Sequence, residues 1–206
     1  MDEWIKHPVI LQGQIIKLMP LEKPHFEELM NAASDKKLWE FTPTDASIPE
    51  NFRALYNTAL AERDKRNHYP FVILDNQTQR LIGSTRLFDI VPKDRKLEIG
   101  WTWITSNYWS SGVNFECKFL LLKYCFEVLK TIRVQLKTDE TNLRSRKAIE
   151  KIGGCFEGIL RKDRIKDNGI ARNTAYYSII DDEWNLVKEK IGKQLDDKLK
   201  LISSVR

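Results

Sequence analysis

The sequence predicts an α+β fold, one domain on a mixed, mostly antiparallel sheet of about seven strands flanked by helices. Three observations carry this. Apolar residues recur with period two in some segments and with helical spacing in others, so strands and helices both occur along the chain. Strands between residues 69 and 105 follow one another across short polar turns, the pattern of an antiparallel meander, whereas helices flank the strand that starts at Arg133. The 206 residues, 42% apolar and 31% charged, suffice for one domain with a real core. Nine glycines, seven prolines and no low-complexity tract exclude a disordered or fibrous chain.

Taken in order, Val9 to Leu21 reads as a strand stopped near Pro20, and Glu22 to Ala33 as a helix with Phe26, Leu29, Met30 and Ala33 at helical spacing. A loop containing Trp39-Glu-Phe-Thr-Pro-Thr leads to a second helix from about Pro49 to Arg66. Ser47 fits as its N-cap and Glu50 as the capping-box partner. The meander strands start at Tyr69, Leu81 and Lys96, with turns at Asn76 and Pro92 between them. Val113 to Leu129 is helical and apolar over most of its circumference, hence buried against a sheet. Arg133 starts a strand, residues 143–152 a helix ended by Gly153-Gly154, and Cys155 to Leu160 and Thr174 to Ile180 two further strands. The domain is expected to span 1–181, with 182–206 as a C-terminal helical extension on it.

The longest apolar stretch is broken by Lys123 and Glu127, far short of the ~20 residues that span a bilayer. The basic-then-apolar order of a secretory leader is missing from the N-terminus, so a cytoplasmic protein without membrane attachment is expected. Cys117, Cys125 and Cys155, with His7, His25 and His68, have no metal-ligand spacing, and no metal is expected. The net charge of +5 suits a polyanion, but basic and acidic residues are interleaved and no nucleic-acid module is recognisable. Nucleic acid is therefore not expected as a substrate, and the protein is expected as a monomer or homodimer.

Three constellations have the makings of a site. The first, Trp109-Ser110-Ser111-Gly112-Val113-Asn114, lies where a strand gives way to a long helix. A helix start presents unpartnered N–H groups and partial positive charge, and Gly112 permits close approach of a phosphate; a plain N-cap has the same look. In the second, Asn142 caps the next helix and Ser145 shares its first turn, crowded by Arg144, Arg146 and Lys147. Cations conflict with a helix N-terminus, and an anionic ligand relieves that conflict. The third is Glu98. Alternation puts Leu97, Ile99 and Trp101 on one face and Glu98, Gly100 and Thr102 on the other, and an acid there is either solvent-facing or a base with a raised pKa.

From about residue 10 to 180 these elements resemble the GCN5-related N-acetyltransferase (GNAT) superfamily, in particular the RimJ/RimL-like branch of ribosomal-protein N-terminal acetyltransferases. The branch's pyrophosphate loop, Tyr-Trp-Gly-x-Gly-Tyr-Ala-x-Glu-Ala, is met by Tyr108 to Cys117. Its Asn-x-x-Ser-x-x-x-x-Glu-Lys-x-Gly is met by Asn142, Ser145, Glu150, Lys151 and Gly153. Two departures matter: Ser110 stands for the first loop glycine and Asn114 for a small Gly or Ala next to the phosphates.

The resemblance implies direct transfer of acetyl from acetyl-CoA to a primary amine, with residues 109–114, Asn142 and Arg146 at the cofactor. The strand edge at Trp103 and Ile104 pairs with the pantetheine amides, Glu98 is the general base, Ser145 the group beside the departing thiolate, and Trp39, Arg86 and Trp101 meet the acceptor. The expected acceptor is a peptide or protein N-terminus, with a small amine (polyamine or amino-bearing antibiotic) as the alternative, and a catalytically weak CoA-binding module as a further one. Glu40 and Asp45 are expected to favour a cationic amine.

Overall fold

The computed structural model describes residues 4–204. Its elements, in chain order, are β1 (Leu11–Gln12), β2 (Ile16–Pro20), α1 (Phe26–Ala32), α2 (Pro49–Asp64), β3 (Tyr69–Asp75), β4 (Leu81–Val91) and β5 (Lys96–Ile104). They continue with α3 (Val113–Lys123), β6 (Arg133–Asp139), α4 (Leu143–Lys151), β7 (Cys155–Ile165), β8 (Ala171–Ile180) and α5 (Asp181–Ser204). The strands form one eight-stranded sheet, ordered β1-β2-β3-β4-β5-β6-β8-β7.

The eighth strand arises where the alternation predicts one strand from Val9 to Leu21. The chain folds there into a hairpin, because the backbone N–H groups of Gln14, Ile15 and Ile16 turn to the buried carboxylate of Glu116 on α3, each at 2.8 Å. A Cβ at Gly13 would lie 2.6 Å from that carboxylate, so only glycine fits the approach. The capping box predicted for α2 does not form. Ile48 is the N-cap, Pro49 starts the helix, and Ser47 instead gives both its N–H and its hydroxyl to Asp45. α3 runs on through a π-helical turn, Tyr124–Val128, and the β7–β8 hairpin is longer than predicted.

Every neighbouring pair in the sheet is antiparallel except β5 with β6. That parallel pair is short: Lys96, Leu97 and Glu98 face Arg133, Val134 and Gln135, and no pairing follows. β5 and β6 both continue, so the sheet forks between them, and the fork positions the site.

Apolar side chains cover both sides of the sheet. One cluster, with Leu87, Leu97, Ile99, Val134 and Leu136, packs against Cys117, Leu121 and Leu122 of α3 and against Trp184, Val187, Ile191 and Leu195 of α5. Trp184 stacks on Phe126 at 5.1 Å. The other, with Val72 and Leu74, lies under Leu29 of α1 and Phe52, Tyr56 and Ala59 of α2.

Candidate functional site

A cavity of about 560 Å³ passes through the fork, from the start of α3 and α4 on one face to the α1–α2 segment on the other. At the α3 end, Ser110 and Gly112 take φ values of +64° and +98° and turn the chain into the helix. Gly112, the N-cap, has no side chain to cap the first turn; Val113 N makes a long 3.4 Å bond to Ser111 Oγ, and the remaining positive end stays open to a ligand. Trp109, Ser110, Gly112 and Asn114 line the cavity. Ser111 and Val113, expected beside them, do not. The Ser111 hydroxyl turns to Tyr108 O at 2.6 Å, and Val113 is fully buried in the core. The Trp109 indole donates to Ile104 O at 2.9 Å and supports the Arg144 guanidinium 3.7 Å above its ring.

On α4, Asn142 is the N-cap, its side chain accepting from Ser145 N at 3.0 Å; both residues line the cavity, as do Arg144 and Lys151. Arg146 does not. It leaves the helix on another side, donates from Nε to the Tyr177 hydroxyl at 2.9 Å and lies over Phe156. The cation that accompanies the loop is Arg144, two residues earlier, and the crowded basic turn alone did not say which one faces in.

Glu98 stands where β5 and β6 part, 1% exposed and facing the cavity. Its solvent-facing alternative is thereby excluded. Oε2 accepts from Gln135 Nε2 and Lys137 Nζ, both at 2.8 Å, while no described residue donates to Oε1. Burial pushes the carboxyl above its ordinary range, against the opposing pull of Lys137 and Gln135.

Just past Glu98 the strand bulges. Arg86 pairs with Gly100 and Ser84 with Trp103, so Trp101 and Thr102 together oppose Thr85, and Trp101 takes a φ of +52°. The extra residue reverses the alternation. Trp101 therefore does not share the buried face of Leu97 and Ile99; it is 42% exposed, and Ile104 takes up that core face. Trp103 turns to the other face, 5.6 Å from Trp39. Trp103 and Ile104 both line the cavity, on the edge of β5 that has no strand beside it.

The α1–α2 end is walled by Trp39, which donates to Ala33 O at 2.8 Å, and by Phe41, Pro43, Arg86 and Trp101. Glu40 and Asp45 do not reach it, and the Asp45 carboxylate is taken by Ser47. Sequence reasoning missed Lys118, Gln135 and Lys137. Lys118 is a buried cation of α3, its pKa lowered by burial, and it donates to Thr102 Oγ1 at 2.6 Å. That lysine, set between Cys117 and Phe119, was a visible signal. Gln135 and Lys137 meet Glu98 only through the parallel register, which no local pattern announces.

The acetyltransferase (GNAT) domain family model matches residues 16–154. The chain is 28% identical over 181 residues to the protein named Probable N-acetyltransferase YjcK of Bacillus subtilis (strain 168), covering 84% of this chain and 99% of that one. A crystal structure of a GCN5-related N-acetyltransferase from Brucella melitensis matches with a TM-score of 0.84 at 25% identity, over 92% of this chain and 86% of that one. Spermidine N-acetyltransferase from Vibrio cholerae, solved in complex with CoA and spermine, shares the fold with a TM-score of 0.69 at 19% identity, over 84% of this chain and 99% of that one.

Proposed function

The chain belongs to the acetyltransferase (GNAT) domain family and is an acetyl-CoA-dependent N-acetyltransferase; from that premise we propose that it acetylates a primary amine at the N-terminus of a peptide or protein. The observation that carries the reading is the forked sheet, with a buried carboxylate at the branch and an uncapped helix start on one side of it.

The residues fit the cosubstrate on two counts: a left-handed glycine opens an uncapped α3 toward the cavity, and an unpaired strand edge follows the bulge. Acetyl-CoA supplies the thioester. The first-turn N–H groups of α3, with Arg144 and Lys151, balance phosphate charge. Trp103 and Ile104 offer backbone groups to an extended chain as a neighbouring strand would. Glu98 takes the proton of the incoming ammonium through Oε1, directly or through water, because only the neutral amine attacks. The Ser145 hydroxyl supplies a proton to the departing sulfur.

Charge favours a peptide over a polyamine. The acids lining the cavity are Glu98 and Asp139, and both already hold cations: Glu98 has Lys137, and Asp139 has Lys166 and Arg172. A second or third ammonium would enter without a free carboxylate to meet it. The expectation of a cationic acceptor, built on Glu40 and Asp45, loses its basis. Steady-state kinetics with peptides of varied N-terminal residue, beside polyamines and aminoglycosides, tests the reading. Saturable peptide acetylation is expected; saturation by the small amines alone would contradict it.

A further inference from the structure

Arg86 is a cation of the acceptor face that has no acid. It projects from β4 opposite Gly100, lines the cavity and is 8% exposed. One Nη donates to Leu55 O of α2 at 3.4 Å, and the guanidinium lies 4.6 Å from the centre of the Trp101 ring. No carboxylate among the described residues pairs with it. The other cations lining this face are matched: Lys137 with Glu98 and Asp89, Arg172 with Asp139, Arg164 with Asp163.

A desolvated guanidinium is costly unless an anion compensates it. Burial lowers its pKa to about 10, which still leaves it charged at neutral pH. The leucine carbonyl and the indole ring hold its plane and leave the rest of its donor fork for a planar, bidentate partner, the geometry of a carboxylate. The phosphates of acetyl-CoA are met by the α3 start on the opposite face of the sheet, so they are not that partner.

Resting on the acetyltransferase reading, we propose that Arg86 binds a carboxylate of the acceptor itself, and that the preferred acceptor is a peptide with aspartate or glutamate at its N-terminus. Glu98 and Gly100 are two strand residues apart, about 7 Å, and Arg86 stands opposite Gly100. An amine at Glu98 and a carboxylate at Arg86 are therefore separated by roughly the reach of one acidic side chain. The bulge contributes as well, since it turns Trp101 out of the core and over the guanidinium.

The test compares kcat/KM for C-terminally amidated peptides beginning with Asp, Asn, Glu or Gln and otherwise identical, with free aspartate and glutamate as separate arms. The wild type is expected to favour each acid over its isosteric amide by about tenfold or more, the scale of a charge-assisted hydrogen bond. In Arg86→Gln that ratio should fall towards one, and Arg86→Lys should retain part of it. Equal kcat/KM for acid and amide in the wild type would overturn the proposal, and needs no variant to fold. A preference for the free amino acids over the peptides would overturn the assignment to a side-chain carboxylate. Acetylation of none of these amines, with polyamines or aminoglycosides still acetylated, would overturn the peptide N-terminus reading and this proposal with it.

Discussion

Ser110 holds a left-handed φ of +64° at the position where the resembled loop carries glycine. A Cβ in that conformation crowds the following carbonyl, so Ser110→Gly should stabilise the protein by about 1 kcal/mol, the strain relieved less the added chain entropy. Denaturant unfolding checks this, and unchanged stability would mean that the hydroxyl compensates. Glu98 makes a prediction with a sign. Its carboxyl is raised by burial, and the base is the deprotonated form, so kcat/KM should fall as pH drops through a value above the ordinary 4.5. That acid limb should disappear in Glu98→Gln, and a limb at or below 4.5 would contradict the burial argument. At this scale the sequence was informative where cavity-lining residues lie close together at a helix start, as at Trp109, Gly112, Asn142 and Ser145. It was uninformative where a helical turn offers several equivalent cations, and Arg144 rather than Arg146 faces the cavity.

Among the elements, α3 links the site to the edge of the sheet. Its first turn faces the cavity, and Glu116, at the end of that turn, ties down the β1–β2 turn through three backbone N–H groups. Glu116→Ala leaves those donors without their acceptor and should cost about 3 kcal/mol or more, read as a lower midpoint in urea. An unaltered midpoint would mean that water replaces the carboxylate. Gly112→Asp places a side chain at φ +98° and a negative charge at the helix start. It should weaken acetyl-CoA binding by about tenfold or more in calorimetric titration, and wild-type affinity would remove the loop from the cofactor site. Element identities were legible because apolar periodicity is local. The hairpin and the bulge were not, because each is decided by a partner distant in sequence: Glu116 for residues 14–16 and the β4 register for Trp101; the capping box fails for a local reason, since Asp45, two residues away, takes the Ser47 hydroxyl.

For the whole molecule, the decisive feature is a sheet covered by apolar side chains on both faces yet open along one line. Closing the β5–β6 edge with further pairs would leave no passage between the two faces, and the bulge after Glu98 is where β5 changes face. The order of strands and helices announces an α+β sheet, but the parallel β5–β6 neighbours and their early parting depend on a long-range register. The fork was therefore not legible; the resemblance implied only an open strand edge at Trp103 and Ile104. Its catalytic meaning rests on Glu98, and the most direct measurement follows CoA thiol release and acetylated peptide together, in wild type and in Glu98→Gln, at saturating acetyl-CoA and neutral pH. The predicted result is a kcat lower by about 10²–10⁴-fold, the usual contribution of a general base, with acetyl-CoA affinity retained. An undiminished kcat in Glu98→Gln would contradict the account.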